Sequence, residues 1–245
     1  MGNSLLQNLK ARPDASRALE NYRDLAPSYE GTCTRIEALR LRAVRELALR
    51  PGETVFDIAC GTGPALPILA AAVGPFGKVI GIELSPAMAS LARQRVAAAE
   101  LGSSVEVIES AMEALRACPP ADALLLCYTH DVLQSPAAID RLIESAKPGA
   151  RIAVLGMKTL PWLWGWPANI FNLYRARRYL TTYRNMRRPW CLLEERGAAL
   201  REVQTALWGS AYITTGTLPR APARRPATTS PSSTSTSSTA FNHHT

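Results

Sequence analysis

The sequence predicts an α/β fold: a doubly wound, mostly parallel sheet with N-terminal helices ahead of it and an aromatic, Arg-rich insertion near its end. Short apolar runs recur between residues 54 and 156 and alternate with stretches of helical character, the pattern of βαβ units. The runs are near-continuously apolar, as in strands covered on both faces. A chain of 245 residues, 47% hydrophobic and 20% charged, has the length and apolar content for one such domain with a large core.

Residues 1–50 read as an N-terminal helical segment. One helix passes through Leu19 and Tyr22 to Leu25 and stops before Pro27. A second spans about 35–49, with Ile36, Leu39, Val44 and Leu47 at roughly helical spacing. Pro51-Gly52 breaks the pattern and opens the α/β body, 51–217. Thr54–Ala59 is a buried strand, Pro64–Val73 an apolar helix after a Gly-rich turn, and Lys78–Glu83 a second strand. Ser85-Pro86 is an N-cap followed by a first-turn proline; the helix runs to about Leu101, and Gly102 ends it. Val105–Glu109 and Ala121–Tyr128 are the third and fourth strands, with a helix at Ala137–Ala146. Lys147-Pro148-Gly149 turns into a fifth strand, Arg151–Gly156. Residues 157–191 then interrupt the rhythm as a lid-like insertion. A short helix ending near Gly197 and strands at Glu202–Trp208 and Ala211–Thr215 resume it. The Pro-, Ser- and Thr-rich tail, 218–245, lacks the apolar surface to order itself and is expected to be disordered. The arrangement is Rossmann-like.

The net charge of +8 suggests a nucleic-acid partner until it is located. Residues 161–225 hold eleven arginines against three acids, whereas 1–160 balance at seventeen of each. The body is neutral and no recognition module appears, so nucleic acid is not expected. Residues 1–15 show no secretory signal and no window of about 20 residues is apolar throughout, so a cytoplasmic protein is expected. Cys33, Cys60, Cys118, Cys127 and Cys191 form no CxxC pair; buried reduced thiols are expected, and no metal.

The most informative stretch is Asp57-Ile58-Ala59-Cys60-Gly61-Thr62-Gly63, where the first strand meets the first helix as in a nucleotide-binding turn. Gly61 and Gly63 permit tight backbone geometry and close approach of a ligand. Twenty residues after Gly63, Glu83 ends the second strand, where a carboxylate can accept hydrogen bonds from both hydroxyls of a ribose. A dinucleotide fingerprint would place a third glycine where Leu66 stands, and Pro64 removes an N–H that a pyrophosphate would use. S-adenosyl-L-methionine (SAM) carries no phosphate, and Asp57 can receive its methionine ammonium directly or through water.

The Phe56–Gly63 segment, DIACGTG at its core, resembles the first motif of class I SAM-dependent methyltransferases. The chain is similar to the small-molecule branch that includes ubiquinone/menaquinone-type methyltransferases, over roughly residues 22–216. Tyr22–Tyr29 resembles that branch's pre-domain helix, and Lys147–Arg151 its turn into the fifth strand. The resemblance implies a Rossmann-like class I fold and roles by position. Gly61 and Gly63 would lie against the methionine part of SAM, with Cys60 and Thr62 of the same turn also in the cofactor-binding set; Asp57 would orient that part, and Glu83 would hold the ribose. Leu84 and Met88 would flank the adenine, Met88 being alternatively a core residue. Tyr29 would close over the cofactor or pack in the core. The acid that often binds the adenine amino group is replaced by Ala111, leaving the Met112 backbone and apolar contacts for that task.

Methyl transfer from a sulfonium is an in-line displacement that needs alignment and sometimes a base. The fourth strand ends Cys127-Tyr128-Thr129-His130-Asp131, at the sheet edge where ligands bind. His130 can take a proton from a hydroxyl or amine and Asp131 can orient it; the alternative is a histidine bonded into the following turn. Tyr128 is expected to line the cofactor pocket. Residues 161–190 combine Trp162, Trp164, Trp166, Phe171, Tyr174, Tyr179, Tyr183 and Trp190 with six arginines. A lid closing on an apolar or aromatic small molecule is preferred, with peripheral membrane contact through the same segment. The expected function is SAM-dependent methylation of an O, N or C atom of a small lipophilic molecule. A nicotinamide-dependent oxidoreductase and a non-catalytic SAM-fold binding protein are the alternatives.

Overall fold

A computed structural model describes residues 11–25 and 36–220. Helix α1 (Ala15–Leu25) and helix α2 (Glu37–Glu46) precede strand β1 (Thr54–Ile58). There follow α3 (Leu66–Val73), β2 (Lys78–Glu83), α4 (Pro86–Ala98), β3 (Val105–Glu109), β4 (Ala121–Cys127), α5 (His130–Leu133) and α6 (Pro136–Glu144). Strand β5 (Ala146–Met157), α7 (Trp162–Ala176), α8 (Cys191–Glu195), β6 (Ala199–Ala206) and β7 (Ala211–Thr217) complete the order. Ser85 and Ser135 cap α4 and α6 through their hydroxyls, each ahead of a first-turn proline.

The strands form one seven-stranded sheet in the order β3-β2-β1-β4-β5-β7-β6. Strands β1 to β5 are parallel, and β7 enters antiparallel between β5 and β6. This is the expected doubly wound, mostly parallel α/β sheet. Alternate residues of each strand feed opposite faces. Phe56, Ile58, Leu124, Leu126, Ile152 and Val154 pack with α6 residues Ile139 and Leu142 on one side. Val55, Val79, Leu125, Leu155 and Ile213 pack with Val44, Leu47, Leu66 and Leu69 on the other.

Three expectations about boundaries change. Helix α2 packs Ala43 and Val44, with Leu47 just after it, into the same core as α3, so the N-terminal helical segment shares its core with the α/β body. The Lys147-Pro148-Gly149 turn lies inside β5, where the register with β4 jumps from Ala121↔Ala146 to Ala123↔Arg151. The ordered chain also continues past 217: Leu218 is buried and its amide donates to the Ala150 carbonyl. Residues 221–245 of the expected tail lie outside the described residues.

The insertion differs most. Helix α7 turns Gly165, Asn169, Leu173 and Ala176 inward. Leu173 and Ala176 form a small cluster of their own with Tyr183 and Met186, apart from both sheet cores. At its start the inward stripe has no side chain because it must come close: a Cβ at Gly165 would collide with Leu160. The side chains expected to close on a substrate, Trp162, Trp164, Trp166, Phe171 and Tyr174, are instead 54–60% exposed. Asn169 clamps the helix: its Oδ1 accepts from the Leu160 amide at 2.8 Å and its Nδ2 donates to the Leu160 carbonyl at 2.9 Å. Asn169→Ala strands both buried groups, at a cost of about 2–4 kcal/mol. We expect faster amide exchange across 162–176 with the sheet unchanged, read by hydrogen-exchange mass spectrometry. Exchange equal to the parent across α7 would remove the clamp from the account.

Candidate functional site

Strands β1 and β4 are neighbours whose following helices pack on opposite faces, α3 on one and α6 on the other. A crevice opens at such a switch point, at the carboxyl ends of the strands. Both strands end in a non-glycine residue at positive φ, Ala59 at 51° and Tyr128 at 59°. Side chains rarely adopt that conformation, and the surroundings must hold it. They do so through the sheet: the Tyr128 amide donates to the Leu155 carbonyl at 2.7 Å, and the Cys60 amide to the Ile82 carbonyl at 3.0 Å. Between the two strand ends lies a recess lined by Ile36, Arg40, Asp57, Cys60, Gly61 and Tyr128, with Ala59, Pro64, Ala65 and Cys127.

The turn after β1 is shaped by its glycines. Gly61 and Gly63 have φ of 60° and 74°. A Cβ at Gly63 would also sit 2.7 Å from Leu66 Cδ1 and 3.1 Å from Ala92 Cβ, so this glycine lets α3 and α4 approach. Glu83, buried at the end of β2, locks the turn. Its Oε2 accepts from the Gly61 amide at 2.9 Å and its Oε1 from the Ser85 amide at 2.8 Å. Burial pushes its carboxyl up, while the amides of Ser85, Gly61 and Leu84 pull it down. Each oxygen keeps a further acceptor site.

Asp57 is 2% exposed on β1. Burial raises its carboxyl to about 7; Arg40 opposes the rise and Glu83 adds to it. Arg40 is a site residue that sequence reasoning missed. It is buried on the stripe of α2 formed by Ile36, Arg40, Ala43, Val44 and Leu47, and it reaches the recess. Among the described residues its guanidinium has neither an ion-pair nor a hydrogen-bond partner. A buried cation without a partner is costly unless a ligand anion supplies one. The available signal was a lone arginine on an apolar helical stripe.

The other anticipated residues fall into place unevenly. Cys60 is buried and its thiol is pushed up by burial. Thr62 is fully buried, and its carbonyl accepts from Arg95 Nε at 3.0 Å. Leu84 is half-buried next to Glu83; Met88 is 1% exposed on the inner face of α4. The Met112 side chain packs in the sheet core beside Leu115. Tyr29 lies outside the described residues.

His130 starts α5 and is buried, and among the described residues neither ring nitrogen has a partner at hydrogen-bond geometry. Burial lowers it to about 4, opposed by the nearby Arg184 backbone, so the ring is neutral at neutral pH. The expected pairing with Asp131 is not formed. Asp131 instead accepts from the Thr181 hydroxyl at 2.6 Å and the Thr181 amide at 3.0 Å. The reason is local: a carboxylate at the start of α5 finds two donors in the insertion, which crosses just outside it. Gln134 extends the seam, donating to the Pro189 carbonyl at 2.8 Å and accepting from Asn185 at 2.9 Å. The stretch 181–189 thus roofs the end of β4.

Residues 55–149 match a family described as a methyltransferase domain. The chain is 33% identical over 154 residues to a 2-phytyl-1,4-naphtoquinone methyltransferase of Synechococcus elongatus, covering 59% of this chain and 64% of that protein. It is 35% identical over 118 residues to a ubiquinone/menaquinone biosynthesis C-methyltransferase of Syntrophotalea carbinolica, covering 47% of this chain and 48% of that one. The chain thus spans between about half and two thirds of the length of these relatives. Among solved structures, a SAM-dependent methyltransferase from Aquifex aeolicus superposes with a TM-score of 0.54 at 23% identity, over 73% of this chain and 89% of that one, a likeness of fold.

The charge in the recess has a consequence for stability. The folded carboxyl of Asp57, near 7, lies above its ordinary 3.8, so folding favours the protonated form. That contribution is complete below about pH 4 and is lost as pH rises through 7. Asp57→Asn should therefore stabilise the ligand-free protein above pH 7 by up to about 4 kcal/mol and change little near pH 4, as read by thermal melts across pH. A difference independent of pH would contradict the buried, proton-binding carboxyl.

Proposed function

We propose that this chain, whose residues 55–149 form a methyltransferase domain on a class I methyltransferase fold, transfers the methyl group of SAM to a small lipophilic molecule. The carrying observation is the recess itself, where a buried carboxyl and a buried arginine with no ion-pair or hydrogen-bond partner among the described residues line a glycine turn. A free amino acid end, with its ammonium and carboxylate, fits that pair of opposite charges. Asp57 takes the ammonium and Arg40 the carboxylate. Gly61 and Gly63 let the backbone lie against the ligand, and the spare acceptor sites of Glu83 take ribose hydroxyls. Leu84 and the Met112 backbone flank the adenine. Leu66, fully buried against Gly63, occupies the position a third glycine would hold in a dinucleotide site.

When bound, SAM supplies a methyl group already activated on a sulfonium. The protein's work is alignment. His130, neutral and buried at the start of α5, is the group that would accept a hydrogen bond from an acceptor hydroxyl or amine reaching the end of β4. It takes the proton as charge develops there. Asp131 is a positioning residue that holds Thr181, and through it the roof, over His130. The quinone names of the relatives and the burial of the site support an aromatic, lipophilic acceptor methylated on O, N or C. With such an acceptor goes work near a membrane surface.

Titration calorimetry with SAM tests the cofactor site. Arg40→Met should weaken binding by about tenfold or more through loss of a charge-assisted contact. Gly61→Arg should abolish it in a protein that still melts cooperatively. The parent should bind more tightly as pH rises through about 7, as Asp57 ionises, and Asp57→Asn should flatten that dependence. Parent-like affinity in both Arg40→Met and Gly61→Arg would overturn the assignment. For the acceptor side, His130→Ala should slow production of S-adenosylhomocysteine on a panel of lipophilic quinols about a hundredfold, with SAM affinity kept. A parent rate would return His130 to a structural role.

A further inference from the structure

We infer that α7 and the β6–β7 turn together form a docking face for an anionic lipid bilayer; this rests on the lipophilic acceptor proposed above for the reason of the contact, not for the contact itself. Helix α7 is inverted relative to an ordinary surface helix. It buries Gly165, Asn169, Leu173 and Ala176 and presents Trp162, Leu163, Trp164, Trp166, Ile170 and Phe171 to solvent. Leu163 is 94% exposed.

A second element points the same way. Leu207 and Trp208 sit at the tip of the β6–β7 turn, 61% and 94% exposed. Both have positive φ, 50° and 61°, a costly conformation for large side chains. The Leu207 carbonyl is fastened by the Ser210 hydroxyl at 2.7 Å and the Ser210 amide at 3.1 Å. The turn therefore spends stability to hold a leucine and a tryptophan out in water.

The two elements are neighbours. The Lys158 amide donates to the Ser210 carbonyl at 2.8 Å, and Leu160 Cδ2 lies 3.3 Å from where a Cβ on Gly209 would be. Leu160 also packs against Gly165 and is held by Asn169. One residue thus joins the α7 face to the Trp208 tip.

The charge selects the occupant. Residues 161–190 contain six arginines and no acid, while residues 1–160 are balanced. Arg177 lies 3.6 Å above the Tyr174 ring and Arg175 5.7 Å from the Phe171 ring, so cations rim the aromatic face. Tryptophan with arginine suits the headgroup layer, where rings sink to the acyl boundary and guanidinium groups meet lipid phosphates. Among the described residues no helix is long and apolar enough to cross a membrane, so the contact is interfacial.

The test is co-sedimentation of the full chain with vesicles. We expect binding to mixed phosphatidylglycerol–phosphatidylcholine vesicles, weaker binding to phosphatidylcholine alone, and loss at high salt. Trp164→Ala and Trp208→Ala should each weaken binding several-fold, and together about tenfold or more. Arg177→Gln with Arg178→Gln should reduce the salt-sensitive part. All of these residues are exposed, so melts and SAM affinity should stay at parent values. No sedimentation, or sedimentation indifferent to these substitutions, overturns the proposal. So does a dimer in sedimentation velocity that Trp164→Ala or Trp208→Ala dissolves, which would make a second copy the occupant. Lost vesicle binding with SAM binding intact removes only the docking face. Lost SAM binding with vesicle binding intact removes only the transferase reading.

Discussion

The carboxylate of Glu83 ties the site together. Buried at the end of β2, it accepts one amide from the glycine turn after β1 and one from the cap of α4. Without it, two strand-to-helix junctions would have unsatisfied amides facing the same crevice. With it, the turn is fixed in the left-handed geometry that brings Gly61 beside Asp57. Burial raises both carboxyls, Glu83 adds to the rise at Asp57, and Arg40 partly offsets it there. The ligand-free recess is thus electrostatically unresolved, which suits a zwitterion better than either charge alone.

Much of this was legible in the sequence because the physics is local. Strands covered on both faces must be continuously apolar, and β1, β2 and β4 read that way. The DIACGTG turn and Glu83 were legible because a glycine pair at a strand end and a carboxylate closing the next strand are fixed in spacing by the βαβ unit. Arg40 was harder to read: its helical spacing from Ile36, Val44 and Leu47 sets it on the apolar stripe, but not whether its long side chain is buried there or reaches out to water. Only the packing of α2 on the sheet decides it. The His130–Asp131 pairing failed for the same reason: two neighbours in sequence were assigned to each other, but Thr181, fifty residues away, offered Asp131 better donors.

The insertion does two jobs with different parts. Its later half, 181–189, is bonded to Asp131 and Gln134 beside His130, whose burial keeps the imidazole neutral. Its earlier half, α7, is held by a clamp on Leu160 and a four-residue cluster, and turns its bulk outward. Composition could not separate these halves, because the aromatics and arginines run through both. Burial separates them: Tyr183 and Trp190 are inside, Trp164 and Phe171 outside.

The central claim is that one recess grips an amino acid end by Asp57 and Arg40 and a ribose by Glu83. Crystallising the chain with S-adenosylhomocysteine tests it most directly. The account places the ligand's carboxylate on Arg40, its ammonium on Asp57 or a water bound to it, and its ribose hydroxyls on Glu83. Ligand density elsewhere, or a bound ligand that leaves Arg40 and Glu83 untouched, would contradict it.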